Sequence, residues 1–114
     1  MKLFPANATL KLAAPIVAST ALLAGSLLAS QASAGDPDWG RELFEVWSCS
    51  GCHTLADAGS VSTIGPALDG NPNLSPDYII SRINNGGGAM PPFAGQLSDD
   101  EIAALADYII QVAE

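Results

Sequence analysis

The stretch Cys49-Ser50-Gly51-Cys52-His53 places two thiols and an imidazole within five consecutive residues. A C-x-x-C-H spacing of this kind has three interpretations: a structural metal site, a redox-active dithiol, or the attachment point of a haem. Each interpretation requires different companion residues, so the rest of the chain discriminates among them.

The first two interpretations lack their companions. A structural zinc site takes four ligands, usually cysteine and histidine, and the chain has two cysteines and one histidine. A dithiol motif of the C-x-x-C kind sits in a βαβ setting, and no segment here alternates with the period of a strand. A plain disulfide leaves His53 without a role. The remaining interpretation is haem c, with thioether bonds from Cys49 and Cys52 and with iron coordination by His53.

The N-terminal segment has the layout of a secretory signal peptide. Lys2 and Lys11 precede a run of apolar and small residues from Ile16 to Ala29, and residues 31–34 (Gln-Ala-Ser-Ala) offer an A-x-A cleavage site. The apolar run is shorter than the roughly 20 residues of a spanning helix, so a retained membrane anchor is the second interpretation. We predict a cleaved signal peptide at residues 1–34 and a single periplasmic domain at residues 35–114.

Removal of the leader leaves a small and strongly acidic chain. Residues 35–114 keep all 12 Asp and Glu residues but only Arg41 and Arg82 of the basic residues, which gives a net charge of −10 and no lysine. This charge argues against nucleic acid, whose phosphates need clustered Lys and Arg, and against an anionic membrane surface. A domain of this size rarely gains more than about 3–5 kcal/mol from its core unless a disulfide, metal or cofactor reinforces it.

Three helices are predicted, each from a start signal and an apolar stripe. The starts are Asp36-Pro37, Ser75-Pro76-Asp77 and the capping box Ser98-x-x-Glu101, and Asn85-Gly86 ends the second helix. The expected core positions are Trp39, Leu43, Val46 and Trp47, then Tyr78, Ile79, Ile80 and Ile83, and finally Ile102, Leu105, Ala106, Ile109 and Ile110. The fold class is therefore all-α, with long loops and without strands.

The second axial iron ligand follows from elimination. After leader removal the chain has one methionine, Met90, one histidine, His53, and no lysine. A methionine often fills a gap in a core, but Met90 stands in a Gly86–Phe93 loop without helical period. Glycines let the backbone approach a flat ring, and Pro91 and Pro92 stiffen the chain behind the sulfur. We predict His53 and Met90 as the axial ligands.

In this order the motifs resemble those of short bacterial monohaem cytochromes c of class I, over nearly all of residues 36–114. Gly40-x-x-x-Phe44 resembles the family's N-terminal helix, which crosses a C-terminal helix where Tyr108 matches the partner aromatic. Ile64-Gly65-Pro66-Ala67-Leu68 resembles the segment whose proline carbonyl accepts the proximal imidazole N–H and whose leucine packs on the haem. The Ser81–Gly86 stretch is similar to one whose arginine, here Arg82, pairs with a haem propionate.

The resemblance implies a class I cytochrome c fold, with three main helices and loops wrapped around one covalently bound haem c. Two features depart from it. The loop from Arg82 to Met90 is short and lacks the tryptophan that some relatives place near a propionate. Trp39 and Trp47 match no family role, and packing in the core or at the surface is the interpretation left for both.

A His/Met ligand set favours one-electron transfer, because a thioether ligand raises the reduction potential and both ligands stay bound in either oxidation state. We see no acid, base or nucleophile constellation, so we expect a carrier and not an enzyme. Two alternatives stay open: a dedicated haem subunit or docking partner of one periplasmic dehydrogenase, and a gas-binding haem sensor.

The partners are expected to be redox proteins with a basic docking rim, attracted by the acidic chain. The predicted contact patch is the uncharged rim of the haem crevice, since charged residues are depleted at interface cores. It comprises Ser50, Gly51, Ala89, Pro91, Pro92 and Phe93. A membrane contact is expected only if the leader is retained.

Overall fold

The first helix begins where the sequence places its cap. In the computed structural model, which describes residues 33–113, α1 spans Pro37–Val46. Asp36 accepts a hydrogen bond from the Asp38 amide at 3.0 Å, and Pro37 occupies the first helical position, where no amide is needed. The predicted leader lies outside the described residues apart from Ser33 and Ala34.

The chain leaves α1 through a sharp turn. Ser48 adopts the left-handed conformation with φ of +58°, and a short 3₁₀ turn follows at Cys49–Gly51. A two-stranded antiparallel hairpin comes next, with β1 at Thr54–Leu55 and β2 at Ser60–Val61. The expectation of a chain without strands was wrong here. Two residues per strand are too few for an alternating pattern to show in a sequence.

The second and third helices also begin at their predicted caps. Helix α2 spans Pro76–Asn85, with the Ser75 hydroxyl accepting from the Tyr78 amide at 3.2 Å. Helix α3 spans Asp99–Val112 and has both halves of the capping box between Ser98 and Glu101. The bonds from Ser98 lower the pKa of Glu101, since they favour its charged form.

Helices α1 and α3 cross in close contact at Gly40. A β-carbon at Gly40 would collide with the Tyr108 β-carbon and would lie 2.8 Å from the Ala104 carbonyl oxygen. Phe44 packs edge-to-face on Tyr108, with ring centroids 6.1 Å apart and an interplanar angle of 66°. Both rings are buried, so the crossing forms the centre of the core.

The buried faces differ from the predicted stripes at three positions. Val46, Tyr78 and Ile110 were expected in the core and are 68, 44 and 39% exposed. In α1 the face that meets α3 is set by Gly40, and at 100° per residue Val46 lies about 120° away from it. The all-α class with three main helices is confirmed, since the hairpin adds four residues.

Candidate functional site

The turn that carries the two cysteines is closed by its own backbone. The amides of Cys52 and His53 both donate to the Cys49 carbonyl, at 3.1 and 3.0 Å. Cys49 is half-buried, Cys52 is exposed, and both thiols are free. Burial raises the pKa of the Cys49 thiol to about 11. Both side chains line the same cavity as His53, which is what attachment of one porphyrin requires.

Hydroxyl groups from the hairpin hold this turn from outside. Ser60, only 5% exposed, directs its hydroxyl at the carbonyls of Ser50, at 2.9 Å, and His53. Ser62 donates to the Gly51 carbonyl at 2.8 Å. A buried carbonyl without a partner is costly, so these bonds stabilise a turn that has little regular structure.

The orientation of His53 is fixed by the Gly65-Pro66 segment. Its Nδ1 lies 2.8 Å from the Pro66 carbonyl oxygen. A carbonyl can only accept, so Nδ1 is the donor, and in the neutral imidazole Nε2 is the nitrogen with a lone pair for a metal. A β-carbon at Gly65 would lie 2.9 Å from His53 Cε1 and 3.1 Å from Nδ1. The backbone of Gly65 therefore packs directly against the imidazole.

Met90 stands at the end of a tight turn. The Gly87 amide donates to the Met90 carbonyl at 3.0 Å, and the Met90 amide donates back at 3.1 Å. Gly86 and Gly88 have φ of +67° and +59°, which favour glycine. A β-carbon at Gly86 would also lie 2.8 Å from the Pro91 carbonyl carbon. These glycines are needed for the turn itself, whereas the sequence suggested close approach to a ring.

Arg82 lies at the cavity beside the glycine turn. Its guanidinium sits 5.2 Å from the centroid of the Tyr78 ring. A β-carbon at Gly87 would collide with Arg82 Nη1, so the glycine gives the guanidinium its place. Arg82 and Tyr78 are both exposed, so the charge stands at the solvent side of the cavity.

One cavity of about 660 Å³ joins all of these groups. Every residue proposed to attach the haem, to bind its iron or to surround it lines this cavity, namely Cys49, Cys52, His53, Pro66, Leu68, Arg82 and Met90. Apolar side chains form most of the remaining wall, among them Phe44, Ile79, Ile83, Leu105 and Ile109. A cavity of this size and polarity fits a cofactor.

Three further residues that line the cavity were not predicted to do so from the sequence: Trp47, Ile64 and Leu74. Ile64 is 74% exposed, so it stands at the mouth of the cavity. The available signal for it was its place at the start of the Ile64–Leu68 segment. Trp47 precedes Cys49 by two residues, and that proximity was the signal for Trp47.

A second polar cluster ties three elements together. Asp57 Oδ2 accepts from Arg41 Nη2 and from the Tyr108 hydroxyl, both at 2.7 Å. The Arg41 guanidinium, followed by the Tyr108 hydroxyl, holds the pKa of Asp57 below its usual value. Burial, reinforced by the bond to Asp57, raises the pKa of Tyr108 to about 12. The cluster joins α1 and α3 to the turn that follows β1.

None of the helices within residues 33–113 is both long enough and apolar enough to cross a membrane.

A family model matches residues 35–109, and its description is cytochrome c oxidase, cbb3-type, subunit III. The chloroplastic cytochrome c6 of Chlamydomonas reinhardtii is 36% identical over 111 residues, which cover 88% of this chain and 72% of that protein.

Two solved structures are similar in fold as well as in sequence. The c-type cytochrome SorU of Sinorhizobium meliloti is 39% identical with a TM-score of 0.61, over 68% of this chain and 90% of that one. Cytochrome c6 of the diatom Phaeodactylum tricornutum is 34% identical with a TM-score of 0.56, over 68% and 94%.

Proposed function

This chain belongs to the class I c-type cytochromes, electron-shuttling proteins with one covalently attached haem c, and from this premise we propose that it is a periplasmic one-electron carrier and not an enzyme. The observation that carries the proposal is the meeting of two free thiols, one imidazole and one thioether at a single apolar cavity. Among c-type cytochromes this donor set serves electron transfer.

The residues of the cavity fit a haem. Its volume of about 660 Å³ lies within the range of cofactor sites. The free thiols of Cys49 and Cys52 supply the groups for two thioether bonds. His53 Nδ1 faces the Pro66 carbonyl, so in the neutral imidazole Nε2 is the nitrogen that can bind iron. We assign the thioether bonds to Cys49 and Cys52 and the axial iron bonds to His53 and Met90.

The bound haem supplies an iron that exchanges one electron between its ferric and ferrous states. The chain sets the conditions for that exchange. His53 donates from Nδ1 to Pro66 and so keeps one ring orientation. Buried Leu68 and its apolar neighbours exclude water, which disfavours the ferric charge and raises the reduction potential. Arg82, exposed at the edge of the cavity, is proposed to pair with a propionate.

The docking surface is proposed at the mouth of the cavity. Gly51, Ala89, Pro91 and Pro92 are exposed as a contact patch requires, whereas Ser50 and Phe93 are half-buried. Ile64 lines the cavity and is 74% exposed, so it adds apolar area to this surface. Exposed apolar residues beside uncharged backbone are typical of transient contacts.

The partner is proposed to be a redox protein with a basic rim around its own contact patch, because this chain is strongly acidic. The periplasmic location rests on the predicted signal peptide at residues 1–34, and the carrier itself is then residues 35–114.

Replacement of the distal ligand tests the assignment. In Met90→Ala the ferric protein should lose the sulfur-to-iron charge-transfer band in the red, its reduction potential should fall, and carbon monoxide should bind the ferrous form readily. Met90→His is the matched control, since it offers a sixth ligand without sulfur. That variant should keep carbon monoxide out while the potential stays low.

Covalent attachment is measured on the same samples. The haem should survive denaturing electrophoresis in wild type and in both variants, because attachment depends on Cys49 and Cys52. An unchanged band and potential in Met90→Ala would make Met90 a core residue. Haem that extracts freely would refute the thioether assignment, and carbon monoxide binding by wild type would favour a gas sensor.

A further inference from the structure

Trp47 and Phe93 meet across the cavity wall. Their ring centroids lie 6.0 Å apart at an interplanar angle of 89°, an edge-to-face contact. Both rings line the cavity, and both are half-buried against the core. The pair therefore joins the end of α1 to the loop that follows Met90.

Each member of the pair lies close in sequence to one segment of the proposed iron site. Trp47 is the C-cap of α1 and precedes Cys49 by two residues, whereas Phe93 follows Met90 by three. A contact between the two rings thus spans from the segment that holds His53 to the segment that holds Met90.

The backbone hydrogen bonds around Met90 leave part of the loop without support, so a side-chain contact can stabilise it. The backbone of Met90 is hydrogen-bonded to that of Gly87. The next amide donor on the loop is that of Phe93, which donates to the Ile83 carbonyl at 2.9 Å. Pro91 and Pro92 between them have no N–H to donate. The backbone of the loop is therefore hydrogen-bonded at Gly87 and at Phe93, and Phe93 is the first residue after Met90 whose amide holds the loop to α2.

We propose that Trp47 and Phe93 form an aromatic latch that holds the Met90 loop in place and sets how readily an outside ligand displaces the Met90 sulfur. This inference rests on the proposed function, in which Met90 is the distal ligand. Both are positioning residues, since they act through Met90. Trp47, which the family resemblance left without a role, acquires one.

The size of the effect follows from the contact. An edge-to-face aromatic pair contributes enough free energy, beyond the burial of its area, to change an equilibrium about 2- to 10-fold. Loss of the pair removes this stabilisation of the Met90 loop in its position at the cavity. We therefore expect imidazole to bind the ferric protein about 2- to 10-fold more tightly when either ring is replaced by an aliphatic side chain.

The experiment is a titration of the purified ferric holoprotein with imidazole, followed by the loss of the charge-transfer band. Trp47→Leu and Phe93→Leu should each tighten imidazole binding, and the double variant should add little to either. Trp47→Phe, which keeps an aromatic ring, should return most of the wild-type affinity.

Trp39→Leu is the matched control. Trp39 is half-buried on the same helix and packs on the core, but it is not among the residues that line the cavity. Its replacement should lower thermal stability and leave imidazole affinity unchanged, so a purely structural loss is separated from the latch.

The two levels of the inference fail differently. Absence of the charge-transfer band in wild type would overturn Met90 as ligand. A normal wild-type band, together with equal imidazole affinity in Trp47→Leu and wild type, would overturn the latch alone. Equal effects of Trp39→Leu and Trp47→Leu would overturn it as well.

Discussion

Gly65 has no side chain, and the imidazole of His53 occupies the space where one would lie. A β-carbon there would come within 2.9 Å of His53 Cε1. In Gly65→Ala the ring must turn or the segment must shift, at a cost of about 1–3 kcal/mol. The reduction potential should change, because the bond from His53 to Pro66 is distorted.

Gly51→Ala is the control for this substitution, since a β-carbon at Gly51 meets nothing within 4 Å. Chemical unfolding and potentiometry of the two variants provide the measurement. Wild-type potentials in both variants would mean that the imidazole tolerates a methyl group beside it.

At the scale of single residues, the sequence predicted the site residues whose side-chain types are scarce in the chain. Cys49, Cys52, His53 and Met90 followed from scarcity, because the chain offers few other groups that bind iron or attach a porphyrin. Pro66 and Arg82 required the family resemblance. Trp47 and Ile64 were not predicted as lining residues, since their place depends on how distant segments come together, and no local pattern encodes that.

At the scale of elements, the crossing of α1 and α3 depends on Gly40. Its missing side chain lets the backbone contact Tyr108 and the Ala104 carbonyl oxygen, which a β-carbon would approach to 2.8 Å. Gly40→Ala should destabilise the holoprotein by about 3 kcal/mol, because backbone in a packed crossing yields little. A thermal melt followed by far-UV circular dichroism measures the loss. A melting temperature equal to that of wild type would show that α1 and α3 can move apart at Gly40 without loss of stability.

The cluster of Arg41, Asp57 and Tyr108 should make stability depend on pH at both ends of the scale. Asp57 has a lowered pKa, so its contribution is full above its unfolded pKa of about 4 and is lost as pH falls through the folded value. Tyr108 has a pKa raised to about 12, so its contribution is full below pH of about 10 and is lost as pH rises through the folded value.

Two variants separate the acid-side from the alkaline-side dependence of stability on pH. Asp57→Asn should weaken the acid-side dependence, and Tyr108→Phe should remove the alkaline one while lowering stability by about 1 kcal/mol. Urea unfolding of the holoprotein over a pH series is the measurement. Parallel pH curves for wild type and Tyr108→Phe would place the alkaline effect elsewhere.

Helix starts were predictable because caps are local: Asp36, Ser75 and Ser98 each bond an amide two or three residues ahead. The buried face of each helix was not predictable in the same way, as Val46 shows. Its apolar side chain fitted a stripe, but the face of α1 is chosen by contact with Tyr108, more than 60 residues away in the chain.

For the whole molecule, the acidity predicts a steep salt dependence of electron transfer to the physiological partner. Steering by net charge can raise association rates by roughly 10- to 1,000-fold at low salt. It weakens as the Debye length falls to about 8 Å near physiological ionic strength. Stopped-flow rates over a salt series test this, and a flat or rising dependence would mean that the charge serves solubility.

The contact patch is tested with uncharged substitutions, which leave steering alone. Ile64→Gln should slow electron transfer at every salt concentration, since Ile64 stands exposed at the cavity mouth. Val46→Gln is its counterpart, because Val46 is 68% exposed and is not a lining residue. Equal rates for both variants would move the docking site away from Ile64.

The cavity also bears on quality control in the cell. Much of the core, including Leu68, Ile83 and Leu105, faces the haem site. Without haem these side chains lose their packing partner and face water, so the free energy of burying their apolar surface is lost. A core of this size is expected to supply only about 3–5 kcal/mol by itself. A chain without haem is therefore an open substrate for proteases, and the molecules that persist are those able to carry an electron.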